Sequence, residues 1–261
     1  MVAMTRTTFR IQSILALAAA AALAAACGPQ TARDIVNRSL AVHGGAKLSQ
    51  WKTLTIRGTV DLWDGNMYTG EYVLLAEAPG KLRVEQNMTG DIGGRYFYEY
   101  FLNDGVAWSR RNLLVGPGNL EQMQRWLRQC AFIAHYAERA ESLTRVEDAT
   151  YEWKERPAKQ SQEYKVVATR PAFVIRALVG TQVTDLYIDK ETFHLLQESA
   201  DTWKRAYWEF KDFGGVVLPT KVNDVAISKR GESITPYVYK TVQYDTPIES
   251  WLFSEEMPKK Q

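Results

Sequence analysis

The stretch "TLTIRGTVDLWDGNMYTGEYVLLAEAPGKLRVEQNM", residues 53–88, decides the fold class. Leu54, Ile56, Val60 and Leu62 alternate with Thr55, Arg57, Thr59 and Asp61, the period of two that buries one face of a strand and wets the other. Asp64-Gly65 returns the chain into a second run, Met67–Ala76, and Pro79-Gly80 turns it into a third that carries Leu82, Val84, Gln86 and Met88. Turns this short join neighbours, so the three runs form an antiparallel meander.

Outward from this core the pattern continues. Strands are expected at Arg95–Leu102, Val106–Arg111, Tyr164–Thr169, Val183–Asp189, Leu195–Ser199, Lys204–Phe213, Val217–Val225 and Tyr237–Tyr244, with turn signals such as Asp189-Lys190 and Gly214-Gly215 between them. Two segments follow the helical period instead. From Thr31 to Leu48, Ile35, Val36, Leu40 and Val42 share a face, and His43-Gly44-Gly45 stops the helix, with a short helical turn about Lys47–Trp51 after it. Asn119–Arg145 reads as one long amphipathic helix, with Leu120, Met123, Leu127, Cys130, Ala134 and Ala137 on its stripe. About ten or eleven strands and two helices, without a βαβ rhythm or an internal repeat, predict a mainly β (α+β) fold. Accumulated twist curls so long a sheet into a single antiparallel half-open β-barrel, and the helices lid it because each apolar stripe must be covered.

The N-terminus carries Arg6 and Arg10, an apolar run from Ile11 to Ala26, and then Cys27. That is the layout of a secretory signal over residues 1–26, and the run is shorter than the ~20 apolar residues a membrane span needs. Leu23-Ala24-Ala25-Ala26-Cys27-Gly28 resembles the bacterial lipobox, which makes Cys27 a lipid attachment site and residues 27–33 a lipidated tether ahead of one domain, 34–261. Ala24-Ala25-Ala26 also satisfies the ordinary A-x-A rule, which leaves a secreted protein with a free Cys27. Cys130 sits on a helical stripe and is expected to be a buried thiol. The rival is a Cys27–Cys130 disulfide in an unlipidated chain.

Of the 32 Lys and Arg residues two lie in the signal, so the remainder balances the 30 Asp and Glu. A neutral chain without basic runs has no electrostatic footprint for nucleic acid. His43, His135 and His194 stand at no ligand spacing, so no metal is expected. No nucleophile elbow, phosphate loop or dinucleotide fingerprint appears. Gly90-Asp91-Ile92-Gly93-Gly94 joins two strands and reads as a hairpin loop, while Asp185, Asp189 and Glu191 fit loop or turn roles better than an acid–base pair. Nothing points to an enzyme or a cofactor.

What the chain has instead is an aromatic and aliphatic surplus on its strands. Half the weight goes to ordinary core, half to an apolar ligand cavity, for which Leu54, Ile56, Tyr72, Leu74, Val84, Trp108, Trp208 and Phe210 are the candidates. The run "NLLVGPGN", residues 112–119, is apolar where loops are polar. Leu113, Leu114 and Val115 are expected to be either the buried end of a strand or an apolar flap that meets lipid or a partner protein.

The segments "ARDIVNRSLAVHGGAKLSQWKTLTIRGTV", "LNDGVAWS", "LYIDKETFHLLQES", "WEFKDFGGVVLPTKV" and "VQYDTPIESWLF", in this order, resemble the LolA/LolB-like, outer-membrane lipoprotein-sorting superfamily. The resemblance implies a half-closed barrel lidded by helices around a cavity for acyl chains of lipids or lipoproteins in the periplasm. It implies no particular ligand-contacting residues. The expected function is a lipid-anchored envelope protein, outer membrane favoured because Gly28 follows Cys27, that binds a lipid or acylated lipoprotein for transport or localisation. The alternative is a non-enzymatic envelope scaffold for a protein partner, and a hydrolase with an unrecognised site ranks third.

Overall fold

A computed structural model describes residues 30–157 and 163–253; the signal segment and Cys27 lie outside the described residues. Helix α1 (Ala32–Val42) begins with a capping box in which Thr31 and Asp34 satisfy each other's orphan groups. A short α2 (Ala46–Ser49) follows the glycine pair at Gly44-Gly45, and β1 (Thr53–Trp63), β2 (Met67–Glu77), β3 (Lys81–Gly90), β4 (Arg95–Asn103), β5 (Val106–Arg111) and β6 (Leu114–Pro117) form a first meander. Helices α3 (Leu120–Cys130) and α4 (Ile133–Arg139) interrupt it. The short β7 (Ser142–Arg145) and β8 (Ala149–Glu155) lead into a second meander of β9 (Lys165–Val179), β10 (Gln182–Asp189), β11 (Leu195–Ala200), β12 (Trp203–Asp212), β13 (Val217–Ser228) and β14 (Gly231–Tyr244).

All pairings are antiparallel, and the sheet runs β6-β5-β4-β3-β2-β1-β14-β13-β12-β11-β10-β9-β7, with β8 on β9. The meanders meet where β1 pairs with β14, Leu54 opposite Tyr244 and Val60 opposite Tyr237. The outermost strands do not pair with each other, so the barrel is half open as expected. On the inner face, the even positions of β1 to β4 join one continuous core with residues from α1, α3 and α4, among them Leu54, Ile56, Leu74, Val84, Val36, Met123, Trp126 and Ile133. A second, smaller core lies on the outer face, where β8 folds over β11 and β12 and packs Tyr151 and Trp153 against Leu196 and Ala206.

Two expectations need correction. Among the described residues fourteen strands replace ten or eleven: β6 and β7, four residues each, are too short to show an alternation, whereas β8 does alternate, with Tyr151 and Trp153 buried and Thr150 and Glu152 exposed, and is missing from the expected strands. The expected helix over Asn119–Arg145 is two helices and a strand. Phe132 adopts φ 50°, a left-handed turn that breaks the helix and drives its ring into the core, and Ser142–Arg145 pairs with β9. The segment holds neither Gly nor Pro to announce the break.

Candidate functional site

Alternation on β11 and β12 puts Glu198 and Arg205 opposite each other, both pointing inward and both buried. Gln129, from the face of α3 that looks into the barrel, bridges them. Its Oε1 accepts a hydrogen bond from Arg205 Nη1 at 2.7 Å, and its Nε2 donates to Glu198 Oε2 at 3.1 Å. Tyr207 donates to the same carboxylate oxygen at 2.8 Å, Arg205 Nη2 donates to Tyr239 at 2.7 Å, and Asp224 lies 3.4 Å from the guanidinium. Burial pushes the Glu198 carboxyl above its ordinary range, against the pull of Tyr207 and Arg205. This network holds α3 over the sheet at its C-terminal half, beside the buried Met123, Trp126 and Cys130.

Two spaces flank Trp126. Between α3 and the sheet lies a cavity of about 30 Å³, lined by Leu54, Ile56, Leu74 and Leu218 and by Gln129, Arg205 and Tyr239 of the network. That is room for about one water. At the open end a mouth of about 240 Å³ is walled by Tyr98, Tyr100, Trp126, Trp203 and Tyr237, with Arg125, Lys204 and Asp224 among its polar groups. Trp126 lines both, and its indole meets Tyr100 edge-on at 5.1 Å.

The candidate residues divide accordingly. Leu54, Ile56 and Leu74 line the inner cavity; Tyr72 and Val84 belong to the same core without touching it. Trp108 lies on the outer face, stacked on Phe101 at 3.9 Å, because it pairs with an odd position of β4. Trp208 stacks on Trp153 at 6.1 Å in the outer cluster, also away from the interior. Glu209 adopts φ 54°, and the next residue, Phe210, lies against His194, 4.3 Å between ring centres. Residues 113–115 are not a buried strand end: Leu113 is in the β5–β6 turn and Leu114 and Val115 open β6, with Leu113 95% and Leu114 76% exposed and Val115 the least so.

Trp126, Gln129, Glu198, Arg205 and Tyr239 were not among the candidates. The available signal for two of them was a charge at an inward position of an alternating strand, masked in β12 by aromatics on both faces. His43, expected only at a helix end, is fully buried. Its Nδ1 donates to the Val217 carbonyl at 2.5 Å and its Nε2 accepts from the Leu195 amide at 3.0 Å, so it ties α1 to β11 and β13 as a neutral imidazole. Desolvation lowers its pKa to about 3. Cys130 is buried, its thiol pushed up to about 12 by burial and donating to the Trp126 carbonyl. Among the described residues no group of three His, Cys, Asp or Glu could hold a metal, and no helix is long and apolar enough to cross a membrane.

A solved LolA superfamily protein from Nitrosomonas europaea superposes with a TM-score of 0.52 at 11% identity, covering 86% of this chain and 98% of that one. The fold is LolA/LolB-like. A DUF1329 family protein from Desulfovibrio piger (TM-score 0.49, 9% identity, 87% of this chain and 98% of that one) is more distant. So is a Vibrio parahaemolyticus domain named for outer-membrane lipoprotein sorting (0.47, 10%, 85% and 96%). No family model matches the sequence, and neither does any curated protein. Identities this low tie the chain to these structures by architecture alone, and its inner side chains must be read on their own terms.

Proposed function

We propose that this chain is a non-enzymatic cell-envelope protein that takes an acyl chain of a lipid or lipoprotein into its barrel, for transport or localisation, with Cys27 as its lipid anchor and the outer membrane as its site. The observation that carries the reading is the position of Trp126: one side chain on one helix lines both the aromatic mouth and the cavity beneath α3. Each methylene moved out of water gains ~0.8 kcal/mol, enough for a long chain to compete with a membrane without covalent chemistry.

The interior as it stands is too small. Sites for drug-sized ligands run to about 300–1,000 Å³, so the ligand enters only if α3 yields. Yielding costs the two hydrogen bonds of Gln129 and the burial of Met123 and Trp126, and an acyl chain restores the apolar contacts from within. Native mass spectrometry with lipid extraction tests the reading, on a form secreted through another signal and carrying Cys27→Ser so that any lipid is cargo. A stoichiometric acyl lipid is the expected result. A clean apo mass under several lipid loads overturns it.

One observation favours a second reading, docking of a protein partner on a filled scaffold: the exposed Leu113 in the β5–β6 turn and Leu114 at the start of β6. Under that reading Leu114→Asp abolishes partner capture from an envelope extract and leaves lipid content unchanged.

A further inference from the structure

The mouth contains a cation with no assigned work. Arg125 lies one turn before Gln129 on α3, half-buried, with its guanidinium 4.8 Å above the Trp203 ring. Among the described residues no hydrogen bond or ion pair satisfies it. Its neighbours are engaged elsewhere. Lys204 pairs with Glu232 at 2.7 Å, and Asp224 sits against Arg205 at 3.4 Å. Burial and the neighbouring Arg205 oppose its charge, and the carboxylates that favour it, Asp224, Glu121 and Glu198, all act through space. A guanidinium offers five N–H donors in a planar fork suited to carboxylate and phosphate, and a partly desolvated one without an acceptor is costly. Beside it stand the apolar walls of the mouth, Leu62, Tyr98, Tyr100, Trp126 and Val225. A fork for an anion at one end of an aromatic slot is the complement of an amphiphile.

This inference rests on the acyl-binding reading and deepens it: we propose that the acyl ligand carries an anionic head group, carboxylate or phosphate, received by the guanidinium of Arg125 at the barrel mouth. Lys204 takes no part because Glu232 holds it at the rim. The chain of the ligand runs along the Tyr98, Tyr100 and Trp126 wall toward the interior.

Titration of tryptophan fluorescence reads the pocket directly, since Trp126 and Trp203 line it. The probes share a fourteen-carbon chain: myristate, monomyristoyl lysophosphatidic acid, 1-tetradecanol and tetradecyltrimethylammonium. The expected result is a Kd at least tenfold tighter for the two anions than for the alcohol, weakest for the cation. The tighter of the two anions tells carboxylate from phosphate. Arg125→Gln should bring both anions to the alcohol's Kd without changing the alcohol's own, and Lys204→Gln should leave the ratio within twofold. Arg125→Gln loses only its stack on Trp203 in the free protein, so a urea unfolding midpoint close to that of the unaltered chain confirms that the fold is intact. Equal binding of myristate and tetradecanol by the unaltered chain, or an anion preference that survives Arg125→Gln in a folded protein, overturns the head-group assignment while acyl binding stands. Binding of none of the four probes overturns both.

Discussion

Replacing Trp126 by Ala sets stability against capacity. The indole is 8% exposed and lines both the 30 Å³ cavity and the 240 Å³ mouth, so its removal merges the two and leaves α3 without its largest anchor. Truncating a buried Trp costs about 3–5 kcal/mol, the spread depending on how far the surroundings collapse. Against a domain stability of about 5–15 kcal/mol the variant should still fold. The merged space admits more of an acyl chain. If the vacated indole volume takes about four methylenes at ~0.8 kcal/mol each, affinity rises by roughly 3 kcal/mol, about a hundredfold in Kd. Urea unfolding with and without excess myristate measures both terms, because a ligand that binds only the folded state stabilises it by about 2.7 kcal/mol at a hundred times its Kd. The expected pair is a lowered midpoint without ligand and a larger ligand-induced rise than in the unaltered chain. A variant that loses stability but shows no ligand-induced rise refutes the idea that Trp126 stands between the mouth and a binding interior.

His43 makes the fold acid-sensitive. Its unfolded imidazole takes up a proton near 6.5 and its buried one only at about 3, so its contribution is intact above pH 6.5 and is lost as pH falls toward 3, at up to about 1.4 kcal/mol per pH unit. His43→Gln should flatten the decline of the unfolding free energy between pH 6 and 4, and an unchanged slope counts against the buried neutral imidazole. Gln129→Ala strips one partner each from Glu198 and Arg205, costing about 1–3 kcal/mol in thermal or urea unfolding, whereas a neutral result means the bridge does not hold α3. The Cys130 thiol, pushed up to about 12, should resist a disulfide reagent at pH 8 until the chain is unfolded, and rapid native labelling contradicts its burial. Leu114→Asp, at the exposed first residue of β6, should change stability by less than about 0.5 kcal/mol.

Much of the architecture was legible because alternation is a strong signal over long strands. β1 to β4 and β10 to β14 all contain a stretch the sequence marked as a strand, and the Asp64-Gly65 and Pro79-Gly80 turns sit between the strands they were expected to join. What escaped has particular causes. The break at Phe132 uses a left-handed residue that is neither Gly nor Asn, so no local preference foretold it. β9 runs from Lys165 to Val179, well past the expected Thr169, because it serves β8 along its first half and β7 and β10 along its second. Of the eight candidate cavity residues, five face the interior. Trp108 and Trp208 do not, since period two says that faces alternate but not which face is inside when both carry aromatics. The Gln129 bridge spans α3, β11 and β12, a meeting that no spacing along the chain encodes.

The pairing of β1 with β14 has a consequence for how the chain reaches its native state. Leu54 meets Tyr244 190 residues later, so the strand that leaves the ribosome near the beginning waits for one near the end. The two meanders assemble from local hairpins, but their seam is the most non-local contact in the sheet, and closing such a loop is slow. Until it forms, β1 presents the unpaired edge of a twisted sheet, with Leu54 and Ile56 in the open, to any other half-made copy. A chain interrupted before Gly231 would keep that edge permanently, which makes late truncations of this protein seeds for aggregation, however complete the first meander is.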